Sequence, residues 1–279
     1  MTQHPTVSVT TGTLRVPDAR LYYEVRGSGP LVVLVGAPMN AAAFAPLADR
    51  LAADHTVLTT DPRGITRSSV DDRDRDSTPE MRADDLVRLI RHVDAGPATV
   101  LGSSGGAVSA LALVQASPEL VETVIAHEPP LQQLLADRDR LREQTEDVVA
   151  TYLSGDPLGA GRKFLALADI RLPDPVIEQI FGGDRDPQAI ADDHFQYAHM
   201  IRPTSWWLPD VAVLRSASTR IIVGIGEDSV GQLCERTSVA LAAQLGLEPT
   251  WFPGGHIGFA DDPYSFEVRL RAVLATTRE

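Results

Sequence analysis

Ala98-Thr99-Val100-Leu101-Gly102-Ser103-Ser104-Gly105-Gly106 decides the reading of this chain. A short apolar, partly β-branched run ends in glycines and serines, and residues 107–116 then form a run of strong helix formers. A strand that turns straight into a helix needs residues without a Cβ, so Gly102 and Gly106 let the two elements approach closely around a strained central residue. The stretch fits the Gly-x-Ser-x-Gly pattern of a nucleophile elbow, which thrusts the hydroxyl of Ser104 out at a helix N-terminus. Backbone N–H groups there can meet negative charge. The expectation is a nucleophilic serine at position 104.

Outward from the elbow, the chain begins with two antiparallel strands, 13–16 and 21–25, closed by Gly27-Ser28-Gly29-Pro30. Strand and helix patterns then alternate: strands at 31–35, 56–60, 98–101 and 121–126, helices at 41–53 and 79–92. This alternation predicts an α/β fold with a mostly parallel central sheet covered by helices on both faces. It stops at Pro129. Helical, polar segments broken by Gly155-Asp156-Pro157, Pro173-Asp174-Pro175 and Gly182-Gly183-Asp184 run to about Pro209. The sheet resumes at 220–224, followed by a helix at 230–245, a strand at 250–252 and a closing helix after Pro263. The expected organisation is a core of residues 1–128 and 210–279 with a helical insertion over 129–209.

The 279 residues suffice for one large core, and 25 basic against 38 acidic side chains leave a formal charge of −13. Such a surface repels nucleic acid and anionic lipid, so partners of those kinds are not expected. The one cysteine, Cys234, allows no intrachain disulfide and reads as a small buried hydrophobe. Residues 1–5 carry no basic and apolar leader pattern, and no apolar run is long enough to span a bilayer. A soluble cytoplasmic protein is the expectation, with its oligomeric state left open. No histidine stands at a zinc-ligand spacing, so neither a metal nor another cofactor is expected.

A series of motifs, in order, resembles the α/β-hydrolase fold family with a helical cap, and the resemblance spans nearly the whole chain. Gly36-Ala37-Pro38 follows the first buried strand, and Asp61-Pro62-Arg63-Gly64 follows the next. Ser104 stands at the elbow. Gly224-Ile225-Gly226-Glu227-Asp228 and Gly254-Gly255-His256 end the last two strands. The order serine, acid, histidine is that of the family. Two departures stand out: Val35 replaces the usual histidine before Gly36, and Thr66 occupies a position where many relatives have glycine. Asp61 and Arg63 read as structural, fixing a loop through an ion pair or hydrogen bond.

The resemblance implies a triad. A serine hydroxyl needs an adjacent base, and His256, on a loop made tight by Gly254 and Gly255, is the candidate. The carboxylate that holds its tautomer is expected at Asp228, with Glu227 and Glu128 as rivals, Glu128 because some relatives place the acid after the sixth strand. Backbone N–H groups of Ala37 and Gly105 are expected to form the oxyanion hole. Met39, His127, Glu128, Trp206 and Trp207 are candidates for the substrate pocket, the two tryptophans equally readable as the insertion's own core. The implied chemistry is hydrolysis of an ester, thioester or lactone of a small apolar substrate through an acyl-enzyme. The alternatives are carbon–carbon bond hydrolysis, perhydrolase or lyase chemistry on the same triad, or a catalytically silent ligand-binding member of the fold.

Overall fold

The computed structural model describes residues 7–275; the N-terminal residues read above for a leader lie outside that range. Strands β1 (Val9–Val16) and β2 (Ala19–Arg26) pair antiparallel. Then follow β3 (Leu31–Val35), α1 (Ala41–Leu51), β4 (Thr56–Thr60), the two-residue β5 (Ser69–Val70) and α2 (Pro79–Val93). The elbow strand β6 (Ala98–Ser103), helix α3 (Gly105–Ala116) and β7 (Val121–His127) complete the first part of the sheet. Its order is β1-β2-β4-β3-β6-β7, continued by β8 (Arg220–Gly226) and β9 (Thr250–Phe252), with β5 paired to β2. From β4 to β9 every pairing along that order is parallel.

Strand alternation assigns the two faces. Leu31, Val33 and Val35 join a cluster with Leu86, Leu89 and Ile90 of α2 and Val108 and Leu111 of α3. Val32 and Leu34 face the other way, against Phe44 and Leu47 of α1. The helix ends follow from local chemistry. Thr78 caps α2 through Met81 N–H, Pro79 opens it, and Asp94 in a left-handed conformation ends it. Asn40 caps α1 in the same manner through Ala42 N–H.

Between β7 and β8 the described residues contain no strand. They form α4 (Arg138–Leu153), α5 (Pro157–Ala168), α6 (Asp174–Phe181), α7 (Pro187–Phe195), a π-helical turn at Gln196–Met200, α8 (Ile201–Ser205) and α9 (Val211–Ser216). Leu141 and Val148 of α4 pack with Leu167 and Tyr197, and Leu233 from the helix after β8 closes this cluster. Polar ties fasten the insertion to the sheet domain. Thr66, held at φ +50°, gives both its N–H (2.8 Å) and its hydroxyl (2.9 Å) to the Asp192 carboxylate. The buried guanidinium of Arg82 donates to Ser109 Oγ on α3 (2.8 Å), to Thr204 Oγ1 on α8 (2.9 Å) and to the carbonyl of Ser77.

The described residues end with α10 (Leu233–Leu245), β9, α11 (Gly258–Asp261) and α12 (Pro263–Ala275). Helix α10 starts three residues later than position 230, because a 3₁₀ turn at Glu227–Ser229 and a left-handed Gly231 (φ +85°) intervene. Short α9 and α11 carry too few residues for a periodic signal. Asp61 and Arg63 are structural but do not pair with each other. Arg63 is bidentate to Asp85 at 2.7 and 2.6 Å. Asp61 instead accepts from Ala41 N–H (2.9 Å) and from the Arg67 side chain (2.7 and 2.9 Å).

Candidate active site

Ser104 sits between β6 and α3 at φ +56°, ψ −126°, a conformation that costs a non-glycine residue on the order of 1–3 kcal/mol. The surrounding backbone enforces it. The Ser104 N–H donates to His127 O at 2.9 Å, and its carbonyl accepts from Ala107 N–H at 2.9 Å. The glycines of the motif are sterically required: a Cβ on Gly102 would lie 2.5 Å from Gly106 O, and one on Gly106 would lie 2.2 Å from Val35 O. Strand and helix therefore touch backbone to backbone, and Ser104 lines the cavity at their junction.

His256 follows β9 and lines the same cavity as Ser104. Its Nδ1 lies 2.5 Å from Glu128 Oε2. Glu128 is fully buried directly after β7, at φ +53°, and its other oxygen accepts from Gly226 N–H at 2.8 Å. The expectation for Asp228 is thereby corrected. Strand β8 runs on to Gly226, and the 3₁₀ turn that follows leaves Asp228 exposed; its N–H donates to Gly254 O, and its carboxylate meets no partner among the described residues. The left-handed Glu128 instead turns its longer side chain across the end of β8 to reach the ring. Serine, glutamate and histidine thus stand at the carboxyl ends of parallel strands β6, β7 and β9, where open α/β sheets bind ligands.

Electrostatics bind the pair together. Burial works against the charged form of each side chain. For His256 the Cys234 sulfur and the Glu128 carboxylate outweigh that effect and raise the ring above the ordinary imidazole value of 6.5. For Glu128 burial is the largest single effect, but the hydrogen bond from His256 and the smaller contributions of the neighbouring side chains together outweigh it and lower the carboxyl below 4.5. Among the described residues Ser104 Oγ makes no hydrogen bond to the ring, and such contacts commonly tighten only when substrate is bound.

Gly105 opens α3, so its N–H has no partner within the helix. Ala37 lies against it: a Cβ on Gly105 would sit 2.4 Å from Ala37 O. Both residues line the cavity, and the Ala37 N–H has no acceptor among the described residues. Ala37 and Gly105 therefore stand against each other in the cavity wall that also holds the serine.

The cavity's open space, mouth included, is about 760 Å³. Its wall is mainly apolar, from Phe164, Leu167, Ile170, Met200, Ile201 and Leu233, and no Lys, Arg, Asp or Glu lines it. Several pocket candidates lie elsewhere. Met39 packs with the α1 side of the core. His127 is buried edge-on to Phe252 and Phe266, and burial pulls its pKa down to about 4, leaving a neutral ring. Trp206 lies under the Arg142 guanidinium, and Trp207 is buried in the α2–α3 core with Nε1 donating to Glu80 at 2.7 Å. Trp207→Ala is accordingly expected to lower unfolding stability by about 3–5 kcal/mol in denaturant titration, without altering preference among acyl chain lengths. A changed preference at unchanged stability would return Trp207 to the pocket. Sequence reading missed Cys234 and Gln132 as cavity residues, since an isolated cysteine or glutamine carries no motif.

Among the described residues, Glu128, Cys234 and His256 form the one group whose donor atoms are close enough to share a metal ion, all within 4.8 Å of one another. Two of the three already satisfy each other in the carboxylate–imidazole bond. No helix among the described residues is long and apolar enough to cross a membrane.

A strained serine at a strand–helix turn and a carboxylate-held histidine at the same edge of the parallel strands agree with the comparison to known proteins. A family model of the alpha/beta hydrolase fold matches residues 29–166. The chain belongs to the α/β-hydrolase fold family. It is 31% identical over 281 residues to YraK, an uncharacterised hydrolase of Bacillus subtilis strain 168, a match covering 96% of the chain and 97% of that protein. A shorter match, 35% identical over 115 residues, covers 40% of the chain and 41% of the 2-(acetamidomethylene)succinate hydrolase of Mesorhizobium japonicum. Among solved structures, the N-acyl homoserine lactonase AidH superimposes with a TM-score of 0.68 at 16% identity, over 98% of this chain and 99% of that one.

Proposed function

We propose that this protein is a serine hydrolase that cleaves an ester or lactone of an uncharged, largely apolar acyl group through an acyl-enzyme on Ser104. The reading is carried by one observation: the strained Ser104 opens into the same cavity as His256, whose Nδ1 is held by the buried Glu128. In this mechanism the Glu128 carboxylate keeps the proton on Nδ1, leaving Nε2 free to accept the Ser104 proton as Oγ attacks the carbonyl carbon. The oxyanion that forms accepts hydrogen bonds from the N–H groups of Ala37 and Gly105. His256 then protonates the leaving oxygen, and a water molecule repeats the sequence to free the acid and restore the serine. Every proton is carried by the chain's own side chains, so no cofactor is required.

The substrate class rests on the wall of the cavity. One relative is named for a succinate, a dicarboxylate, whereas here no guanidinium or ammonium lines the cavity to meet carboxylates. The lactonase named above fits an uncharged substrate better. Residues 129–209 act as the cap, since Phe164, Leu167, Met200 and Thr204 supply one wall of the cavity. A fluorophosphonate probe tests the reading: it should label Ser104 in a protein that also turns over short-chain aryl esters. Labelling at Ser103, or no labelling beside no turnover, would sink it.

The ionisation of His256 adds a second check. The base must be neutral, and its pKa lies above the usual imidazole value, so the rate should rise with pH across a range above 6.5 rather than at it. Glu128→Gln removes one of the charges that raise it and should move what activity remains toward lower pH. An inflection at or below 6.5 in the wild type would contradict the assignment.

A further inference from the structure

We propose that the acyl group of the substrate carries a neutral amide, recognised inside the apolar cavity by Gln132 and Ser205. This rests on the serine-hydrolase reading and names the substrate more closely. Gln132 is 2% exposed and Ser205 5% exposed, and both line the cavity that holds Ser104 and His256. Gln132 stands just beyond the Glu128-Pro129-Pro130 junction. Ser205 ends α8, next to Thr204, whose methyl group packs against Gly105.

The hydrogen-bond inventory of these two side chains is incomplete within the protein. Ser205 Oγ makes no hydrogen bond among the described residues, yet it is not sealed from solvent as the unpartnered Ser103 Oγ is. The Gln132 amide meets only Thr145 Oγ1, at 3.2 Å. That hydroxyl also lies 2.9 Å from Leu141 O, and it has one proton. Given to the Leu141 carbonyl, the proton leaves Thr145 to accept from the Gln132 NH₂, so the Gln132 carbonyl remains unpaired. Given to Gln132, it leaves the NH₂ unpaired. Either way one half of a buried amide has no partner in the protein, and the cavity is the space it borders. Polar groups so placed in an apolar wall are expensive unless something pairs with them. A cavity without a charged lining residue other than His256 calls for a neutral partner. A secondary amide, with one N–H and one C=O, matches an amide and a hydroxyl together.

The test compares matched 4-nitrophenyl esters: N-acetylglycyl, N-acetyl-β-alanyl and N-acetyl-4-aminobutyryl against pentanoyl, hexanoyl and heptanoyl. The kcat/KM ratio within each pair is measured for the wild type, Gln132→Leu and Ser205→Ala, so that intrinsic ester reactivity cancels between proteins. At one spacing, Gln132→Leu should lower the amide-to-alkyl ratio by about tenfold, roughly one hydrogen bond, and Ser205→Ala should lower it severalfold. Phosphonate labelling of Ser104 in each variant verifies that the site is assembled. Should Gln132→Leu lose labelling, Ser205→Ala carries the test, because that hydroxyl ties nothing within the fold. Ratios within twofold of the wild type at every spacing overturn the amide proposal and leave the hydrolase reading standing. An unlabelled Ser104 with no turnover of either ester series overturns both.

Discussion

Ser104→Ala is expected to lower turnover by about six orders of magnitude, the scale on which removal of a nucleophile shared by a triad is felt. The fold should survive. Position 104 is fixed by main-chain bonds, its N–H to His127 O and its carbonyl from Ala107 N–H, and none of them uses the hydroxyl. Alanine there must still adopt φ +56°, a strain the serine already bears, so the unfolding midpoint should stay near that of the wild type. Steady-state assay of an aryl ester beside a denaturant titration separates the two effects. A variant that retains more than about a thousandth of the activity would show that Oγ is not the attacking atom, since an oxyanion hole and binding alone leave only a small residue of catalysis.

Glu128→Gln is expected to cost about four orders of magnitude, while Asp228→Asn changes the rate by less than about twofold. The asymmetry follows from the ring's tautomer. In the Glu128→Gln variant the new amide's oxygen can keep the bond from Gly226 N–H, which presents the NH₂ to His256 Nδ1. The ring must then accept at Nδ1 and carry its proton on Nε2, where it cannot take the proton of Ser104. Asp228 is exposed, and among the described residues no hydrogen bond or ion pair joins its carboxylate to the ring, so its replacement by an amide should be silent. A large loss in the Asp228 variant with a small one in the Glu128 variant would return the acid role to the strand β8 turn.

The elbow was legible because its requirement is steric and local: only glycine fits at 102 and 106, and the flanking strand and helix have clear periodicities. The acid was harder to read. Glu128 and Asp228 both follow apolar strands, and the choice between them depends on how far β8 runs and on one left-handed backbone angle, neither of which composition encodes. The tryptophans were ambiguous for a different reason. Trp207 is tied to Glu80, 127 residues away in sequence, and a long-range partner of that kind leaves no trace in the local pattern. Thr66, in place of a frequent glycine, is accommodated by Asp192, again from a distant segment.

Arg82 bears on how this protein could be rebuilt. Its guanidinium is satisfied jointly by Ser77, by Ser109 on the helix that follows Ser104, and by Thr204 of the inserted segment. Grafting a foreign insertion between β7 and β8 would exchange more than a substrate-facing wall. Unless the donor sequence brought a hydroxyl to the place of Thr204, the graft would strand an N–H of a buried cation, and the chimera would be destabilised from beneath α3. Interchangeability of this module is therefore set at one threonine, a cavity-wall residue whose hydroxyl also answers to a buried cation of the sheet domain.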